Sequence, residues 1–290
     1  MSTFWIILTA MLVSSACAIL GCFLILRKMT MVGDAISHAV LPGIAVAYLW
    51  SGSRDSLWML LGATAFGLIT VFLIQTLQSG GLSSDASIGI VFTALFAVGV
   101  ILISQNAQNI DFDLDHVLFG EIAYVQWDTL TLWGMNVGPR AVWMLGITLL
   151  VILVLLGLFY KQFKLCAFDP ALAAACGIPV ALFHYVLMGL VSMASVASFD
   201  SVGSILVVGM LIVPAATAYL LTDRLGRMIA YSVVIGAAAS IGGYVMAFVW
   251  DASIAGCMVA AAGILFVLAF LLSPRHGIVF RYARRKSAAQ

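Results

Sequence analysis

Charge is what this sequence has least of. Of its 290 residues only 9% are Asp, Glu, Lys or Arg, while 64% are hydrophobic; soluble globular domains are about 25% charged. So little polar surface excludes a water-soluble fold, because the apolar surface could not be hidden. The apolar runs are also continuous, which excludes the short alternating strands of a β-barrel. Cysteine is scarce. The five residues (Cys17, Cys22, Cys166, Cys176 and Cys257) form no CxxC pair, and their odd number implies no disulfide framework. Nucleotide-binding and hydrolytic motifs are missing as well. None of the four lysines (Lys28, Lys161, Lys164, Lys286) follows a glycine, so there is no GxxxxGK[ST] loop, and HExxH, GxSxG and a GxGxxG opening a soluble helix are absent. Catalysis by this chain is therefore not expected, nor is a nucleic-acid partner. Uphill transport would need an ion gradient or a separate ATPase. Finally, "MSTFWIILTAMLVSSACAIL" has no basic residue ahead of its apolar run, and Arg27 and Lys28 come after it. It reads as a first spanning helix; the small residues of "SSACA" give the alternative of a cleaved leader.

What is present is a series of apolar runs, each able to cross about 30 Å of hydrocarbon as a helix of roughly 20 residues. The expected spans are 4–26, 29–50, 57–77, 87–104, 140–160, 181–199, 202–222, 229–250 and 254–272. The expected fold class is thus all-α, a polytopic membrane protein with about nine transmembrane helices (8–10), in a single transmembrane domain over 1–290 with a basic tail at 273–290. Segment 105–139 is too polar to span, and "FDSVGS" breaks 181–222 into two helices. With the N-terminus outside, eleven basic residues fall on one side and only Arg54 and Arg140 on the other, which makes the first side cytoplasmic. Acidic residues run the other way: Asp55, Asp111, Asp113, Asp115, Glu121, Asp128, Asp200 and Asp251 fall outside. They form either a cation-attracting mouth or a solvated loop that docks an external protein.

The stretch "MVGDAISHAVLPG", Met31 to Gly43, sets an acid and a histidine into a spanning segment. At about 1.5 Å per residue, Asp34 lies about 9 Å past Lys28 and His38 about 15 Å past it. A buried aspartate costs on the order of 2.5–3.5 kcal/mol to insert. The i, i+4 spacing puts both side chains on one face. A carboxylate oxygen and an imidazole nitrogen so placed suit a first-row divalent cation; the alternative is a hydrogen bond that only ties helices together. Pro42 has no N–H to give the His38 carbonyl, so a kink is expected. Gly43 lets another backbone approach. Two side chains are half a metal shell, which a twofold dimer would complete. His184, near a cytoplasmic end, reads as an ordinary interfacial residue.

"FDPALAAACGIPV", Phe168 to Val180, spells a short punctuated helix between spans five and six. Asp169 fits the N-cap and Pro170 the first helical position. Gly177 closes the helix and Pro179 forbids its continuation. It is either a connector lying at the interface or a knob for a cytoplasmic partner, in which case Ala174 and Ala175 present its contact face.

These stretches, with "LGCFLILRKMTMVGDAISHAVLPGIAVAYL", "DLDHVLFGE" and "SVGSILVVGMLIVPAATAYLLTDRLGRM", resemble the permease family of bacterial zinc-, manganese- and iron-type ABC importers, in the family's order over most of the chain. The resemblance implies a type II importer-like fold and two permease chains, identical or related. It also implies two ATP-binding subunits and an extracytoplasmic metal-binding protein that delivers the ion, in a bacterial cytoplasmic membrane. It makes Asp34 and His38 the intramembrane metal pair, and Asp169, Pro170, Ala174, Ala175 and Gly177 part of a coupling helix within 166–180. It places Gly203, Gly209 and Pro214 in the glycine–proline pattern of a pathway-lining helix, with Pro42 and Gly43 beside the metal pair. No tightly bound cofactor is implied; manganese, zinc or iron would be the cargo. "WDASIAG" departs from the proline many members carry before the last helix. The "SHAVLPG" form is closer to manganese-type members. The rival readings are a proton-coupled secondary metal transporter with Asp34 as relay, and an intramembrane metalloenzyme, which would need a third ligand and a base at depth.

Overall fold

The computed structural model describes residues 2–51, 56–105, 122–127, 129–132 and 135–273. Four long helices come first: α1 (Ser2–Leu26), α2 (Thr30–Ser51), α3 (Ser56–Ser79) and α4 (Ser84–Gln105). A 3-10 turn at Ile122–Gln126 and a small antiparallel hairpin follow, with β1 (Thr129–Leu132) paired to β2 (Met135–Pro139). Then come α5 (Arg140–Leu158), α6 (Tyr160–Phe168), α7 (Pro170–Ala175), α8 (Val180–Leu221), α9 (Leu225–Trp250) and α10 (Ile254–Leu272). Among the described residues, nine helical segments are long and apolar enough to span a bilayer, so the chain is a multi-pass membrane protein.

The break expected within "FDSVGS" falls at Gly203. Its φ of 76° and ψ of 165° divide α8 into two spanning arms, Val180–Phe199 and Ser201–Leu221. Glycine takes such a backbone without the Cβ clash that other residues would meet. The proline in α2 acts differently. The helix runs through Pro42 to Ser51 without interruption, and the break lies in α8. The region between α4 and α5 holds a hairpin that composition did not announce, and α6 is a separate helix beyond the fifth span.

α1 and α8 form the centre. Leu20, Phe23 and Leu24 of α1 and Leu206, Met210 and Leu211 of α8 are all fully buried in one core. The outside is apolar too. On α5, Leu145, Thr148, Ile152 and Leu156 are buried, whereas Ile147, Leu150, Leu153 and Leu158 are exposed. A helix apolar all round, with its backbone hydrogen bonds satisfied internally, is what hydrocarbon solvent demands.

Spans joined by short turns alternate in direction, so the ends of the bundle can be compared. Arg27, Lys28, Lys161, Lys164, Arg224 and Arg227 gather at one end. Trp5, Trp127, Trp143 and Trp250 sit at the other. Tryptophan favours the membrane–water boundary. One end of this bundle is therefore marked by charge and the other by indole rings, a division the sequence reading had seen only from the basic side.

Candidate metal centre and coupling helix

Asp34 and His38 project from α2 toward α4. Their neighbours on α2 explain the direction: Ala35, Ile36, Ser37 and Ala39 are all buried. Ser37 donates to the Gly33 carbonyl and lies 3.5 Å from the Ser195 hydroxyl of α8. The acid and the imidazole keep partial access, with side-chain exposures of 42% and 27%. The His38 ring rests on Phe92 and Phe96 of α4, at centroid separations of 5.2 and 6.4 Å.

The distance between the functional atoms discriminates between the two readings of the pair. His38 Nε2 lies 3.7 Å from Asp34 Oδ1. That is too long for a hydrogen bond, which needs about 2.7–3.2 Å. Two ligands on one tetrahedral ion, with bonds of about 2.0–2.2 Å, would be about 3.3–3.6 Å apart. Little movement separates the observed spacing from a chelating one. No group of three or more His, Cys, Asp or Glu able to hold a metal occurs among the described residues. Asp34 and His38 therefore stand as a pair, with no third such side chain beside them among the described residues.

Gly43, one turn and a residue beyond His38, stands where α2 crosses α3. A Cβ there would lie 2.8 Å from the Ala63 Cα and 2.9 Å from the Gly62 carbonyl oxygen. The second arm of α8 meets α2 at Leu211, whose Cδ2 would lie 2.8 Å from a Cβ on Gly33, and it also packs on α9 and α10. A Cβ on Gly209 would meet Val259 of α10 at 2.7 Å, and Pro214 is buried near Gly236 of α9. Gly209 and Pro214 thus contact α10 and α9, while Leu211 between them reaches α2 beside Asp34. Of the outer acids, Asp55, Asp111, Asp113, Asp115, Glu121 and Asp128 lie outside the described residues, as do Arg54 and the basic tail beyond Ser273.

At the basic end, α7 is closed by the residues its sequence suggests. The Leu172 amide donates to Asp169 Oδ1 at 3.0 Å, and Pro170 occupies the first turn. At the other end Cys176 is the C-cap and Gly177 follows with φ of 78°. The Ile178 amide donates to the Ala173 carbonyl and the Gly177 amide to the Ala174 carbonyl, each at 3.0 Å. This is the paired-bond ending that a left-handed glycine permits. Ala173 is buried, whereas Ala174, Ala175 and Leu172 face outward.

His184 corrects an expectation. It is not an ordinary interfacial residue but is 7% exposed, with its Nδ1 at 3.2 Å from Arg27 Nη1. An arginine only donates, so Nδ1 accepts and the proton sits on Nε2. Arg27 Nη2 also reaches the Cys166 carbonyl of α6 at 3.5 Å. Burial pushes the Arg27 pKa below its usual value, with the nearby Cys166 side chain opposing the shift. One guanidinium thus joins the α1–α2 turn to α6 and α8. Sequence reading missed this cluster because its members are far apart in the chain; the paired signal was only a basic residue and a histidine at the same expected membrane end.

A multi-helix membrane bundle with an Asp–His pair inside one span and a capped helix at its basic end fits the membrane subunit of a transporter. The chain belongs to the ABC 3 transport family, whose model matches residues 2–273. It is 51% identical over 280 residues to the manganese transport system membrane protein MntD of Bacillus subtilis, covering 97% of this chain and 95% of that one. It is 42% identical over 280 residues to the zinc transport system membrane protein TroD of Treponema pallidum, covering 96% and 76% respectively. The solved structure of PsaBC from Streptococcus pneumoniae in complex with Fab superposes with a TM-score of 0.80 at 35% identity, covering 97% of this chain and 94% of that one.

Proposed function

We propose that this chain is the permease subunit of an ATP-driven importer of divalent transition metal, manganese or zinc, and that Asp34 and His38 bind the ion in transit. The 3.7 Å gap between Nε2 and Oδ1 carries the proposal. It is wrong for a structural hydrogen bond and close to the bite of one small cation. Relatives named for manganese and for zinc supply the cargo, and the proposal is confined to those two ions.

The chain works as one permease unit beside a second copy or a related permease, which completes the metal shell. An extracytoplasmic metal-binding protein delivers the ion, and the N-terminus lies outside a bacterial cytoplasmic membrane with the basic end in the cytoplasm. A separate ATP-binding subunit hydrolyses ATP and pushes on α7, whose outward face offers shape and almost no charge. Gly203, between the two arms of α8, is the hinge. Movement at α7 reaches the site through α6, Arg27 and the α1–α2 turn.

Uptake of manganese or zinc by proteoliposomes holding this chain and its ATP-binding subunit tests the proposal. Uptake requires ATP and falls to background in Asp34→Asn, which keeps the side-chain size and removes the charge. Near-normal uptake by verified Asp34→Asn returns the pair to a structural role, because Asn could still bond to His38.

A further inference from the structure

Histidines that bind metals are ordinarily held by a hydrogen bond from the second ring nitrogen to a carboxylate, carbonyl or water, which fixes the ring and raises its basicity. His38 is held differently. Among the described residues no hydrogen bond reaches either of its ring nitrogens; its polar neighbour is Asp34, at 3.7 Å. Two phenyl rings take the place of that bond. Phe92 meets the imidazole at 5.2 Å with the planes at 57°, and Phe96 at 6.4 Å with the planes at 84°. The two phenyl rings lie 6.1 Å apart, four residues from each other on α4, and so form one continuous aromatic wall. Asp34 and His38 have the same i, i+4 spacing on α2. The helices therefore present matched pairs, ligands on one and rings on the other.

We propose that Phe92 and Phe96 are positioning residues for the metal pair, holding the His38 imidazole by shape where a hydrogen bond would hold it by charge. This rests on the reading of Asp34 and His38 as a cation site. A consequence follows from the chemistry. A phenyl ring offers no lone pair, so the wall gives the ion no ligand on the α4 side, and the remaining ligands come from the open side.

The test uses the full-length chain in detergent with Co²⁺ as probe, since its visible bands report ligand type and geometry. Wild type gives a histidine-containing spectrum, and Asp34→Asn loses binding. Phe92→Leu, which keeps apolar bulk but removes the ring, weakens Co²⁺ binding about tenfold, the lower bound for loss of a supporting shell. It also shifts the bands while leaving the thermal unfolding midpoint near that of wild type. Phe96→Leu, farther from the imidazole, does the same to a smaller degree, and Phe92→Tyr restores wild-type binding. Unchanged affinity and spectrum in Phe92→Leu and in Phe96→Leu overturn the wall while leaving the metal pair intact. Wild-type binding in Asp34→Asn overturns the metal pair itself, so the two failures are told apart. If Phe92→Leu fails to fold, Phe96→Leu decides, because its contact is looser.

Discussion

Among the described residues two histidines sit beside a charged residue, and they have opposite surroundings. His38 faces an acid at 3.7 Å, keeps 27% of its side chain accessible and leans on phenyl rings. His184 faces an arginine at 3.2 Å, is 7% exposed and accepts a hydrogen bond. The first pair is nearly in contact and partly open. The second is closed. On the proposed reading a cation enters between Asp34 and His38, where the neighbours are a carboxylate and an imidazole nitrogen with no hydrogen bond among the described residues. It has no reason to approach His184, whose acceptor nitrogen is occupied by a guanidinium that would repel it. Residue type does not separate transport site from structural tie here; the sign of the neighbour and the gap to it do.

The largest effects should come from exchanging the loss between the two pairs. His38→Ala removes the nitrogen ligand and abolishes ATP-dependent uptake, while the protein inserts and unfolds like wild type. Arg27→Ala does the reverse. It leaves a buried acceptor and an unpaired carbonyl, so stability falls by about 1.5–3 kcal/mol, read as a lower unfolding midpoint in detergent. The folded fraction still binds metal. Equal loss of metal binding in both variants would erase the contrast. Arg27→Lys is the finer cut. A single ammonium lacks the fork that lets Arg27 reach Nδ1 of His184 and the Cys166 carbonyl together, so stability is only partly restored.

Next in size is uncoupling at the basic end. Ala174→Glu puts a bulky charge on the outward face of α7 without touching Asp169 or Gly177, so the capped helix survives. ATP hydrolysis by the complex should persist while uptake drops at least tenfold. A variant that transports at the normal rate places the coupling contact elsewhere. A smaller effect is expected from Pro42→Ala, which restores an amide able to reach the His38 carbonyl and stiffens α2 next to the pair. Uptake should fall severalfold with both ligands in place, and metal affinity should change less than rate.

How much of this was legible in advance follows from the range of each signal. The spans and the break in α8 were readable because apolar runs and a glycine act on their own few residues; Gly203 lies inside the expected "FDSVGS" interval. The ends of α7 were readable for the same reason, since Asp169, Pro170 and Gly177 each act within a turn. The spacing of Asp34 and His38 was readable too, but what faces them was not. Phe92 and Phe96 look in sequence like any two lipid-facing residues, and only packing of α4 on α2 turns them into a wall. The Arg27–His184 contact spans 157 positions and has no local signature. The hairpin between α4 and α5 was hidden because its strands are too short for their alternation to stand out from a polar stretch.

The smallest effect carries the comparison of closed and open surroundings to the two cysteines flanking α7, the proposed docking helix. Cys166 is buried beside Arg27, whereas Cys176 is the exposed C-cap of α7. Burial raises the Cys166 pKa, and the positive charge of Arg27 only partly offsets this. Since the thiolate is the nucleophile, Cys166 has little of the reactive form near neutral pH and no open approach to it. A maleimide should therefore label Cys176 first in the isolated chain, with Cys17, Cys22, Cys166 and Cys257, all buried, modified only after unfolding. Addition of the ATP-binding subunit should slow labelling of Cys176 by covering α7, and Ala174→Glu should restore the free rate. Labelling of Cys176 at one rate with and without that subunit would detach the capped helix from the docking surface. Early labelling of Cys166 would show that the Arg27 cluster opens in solution, and the contrast between the two histidines would then be one of degree.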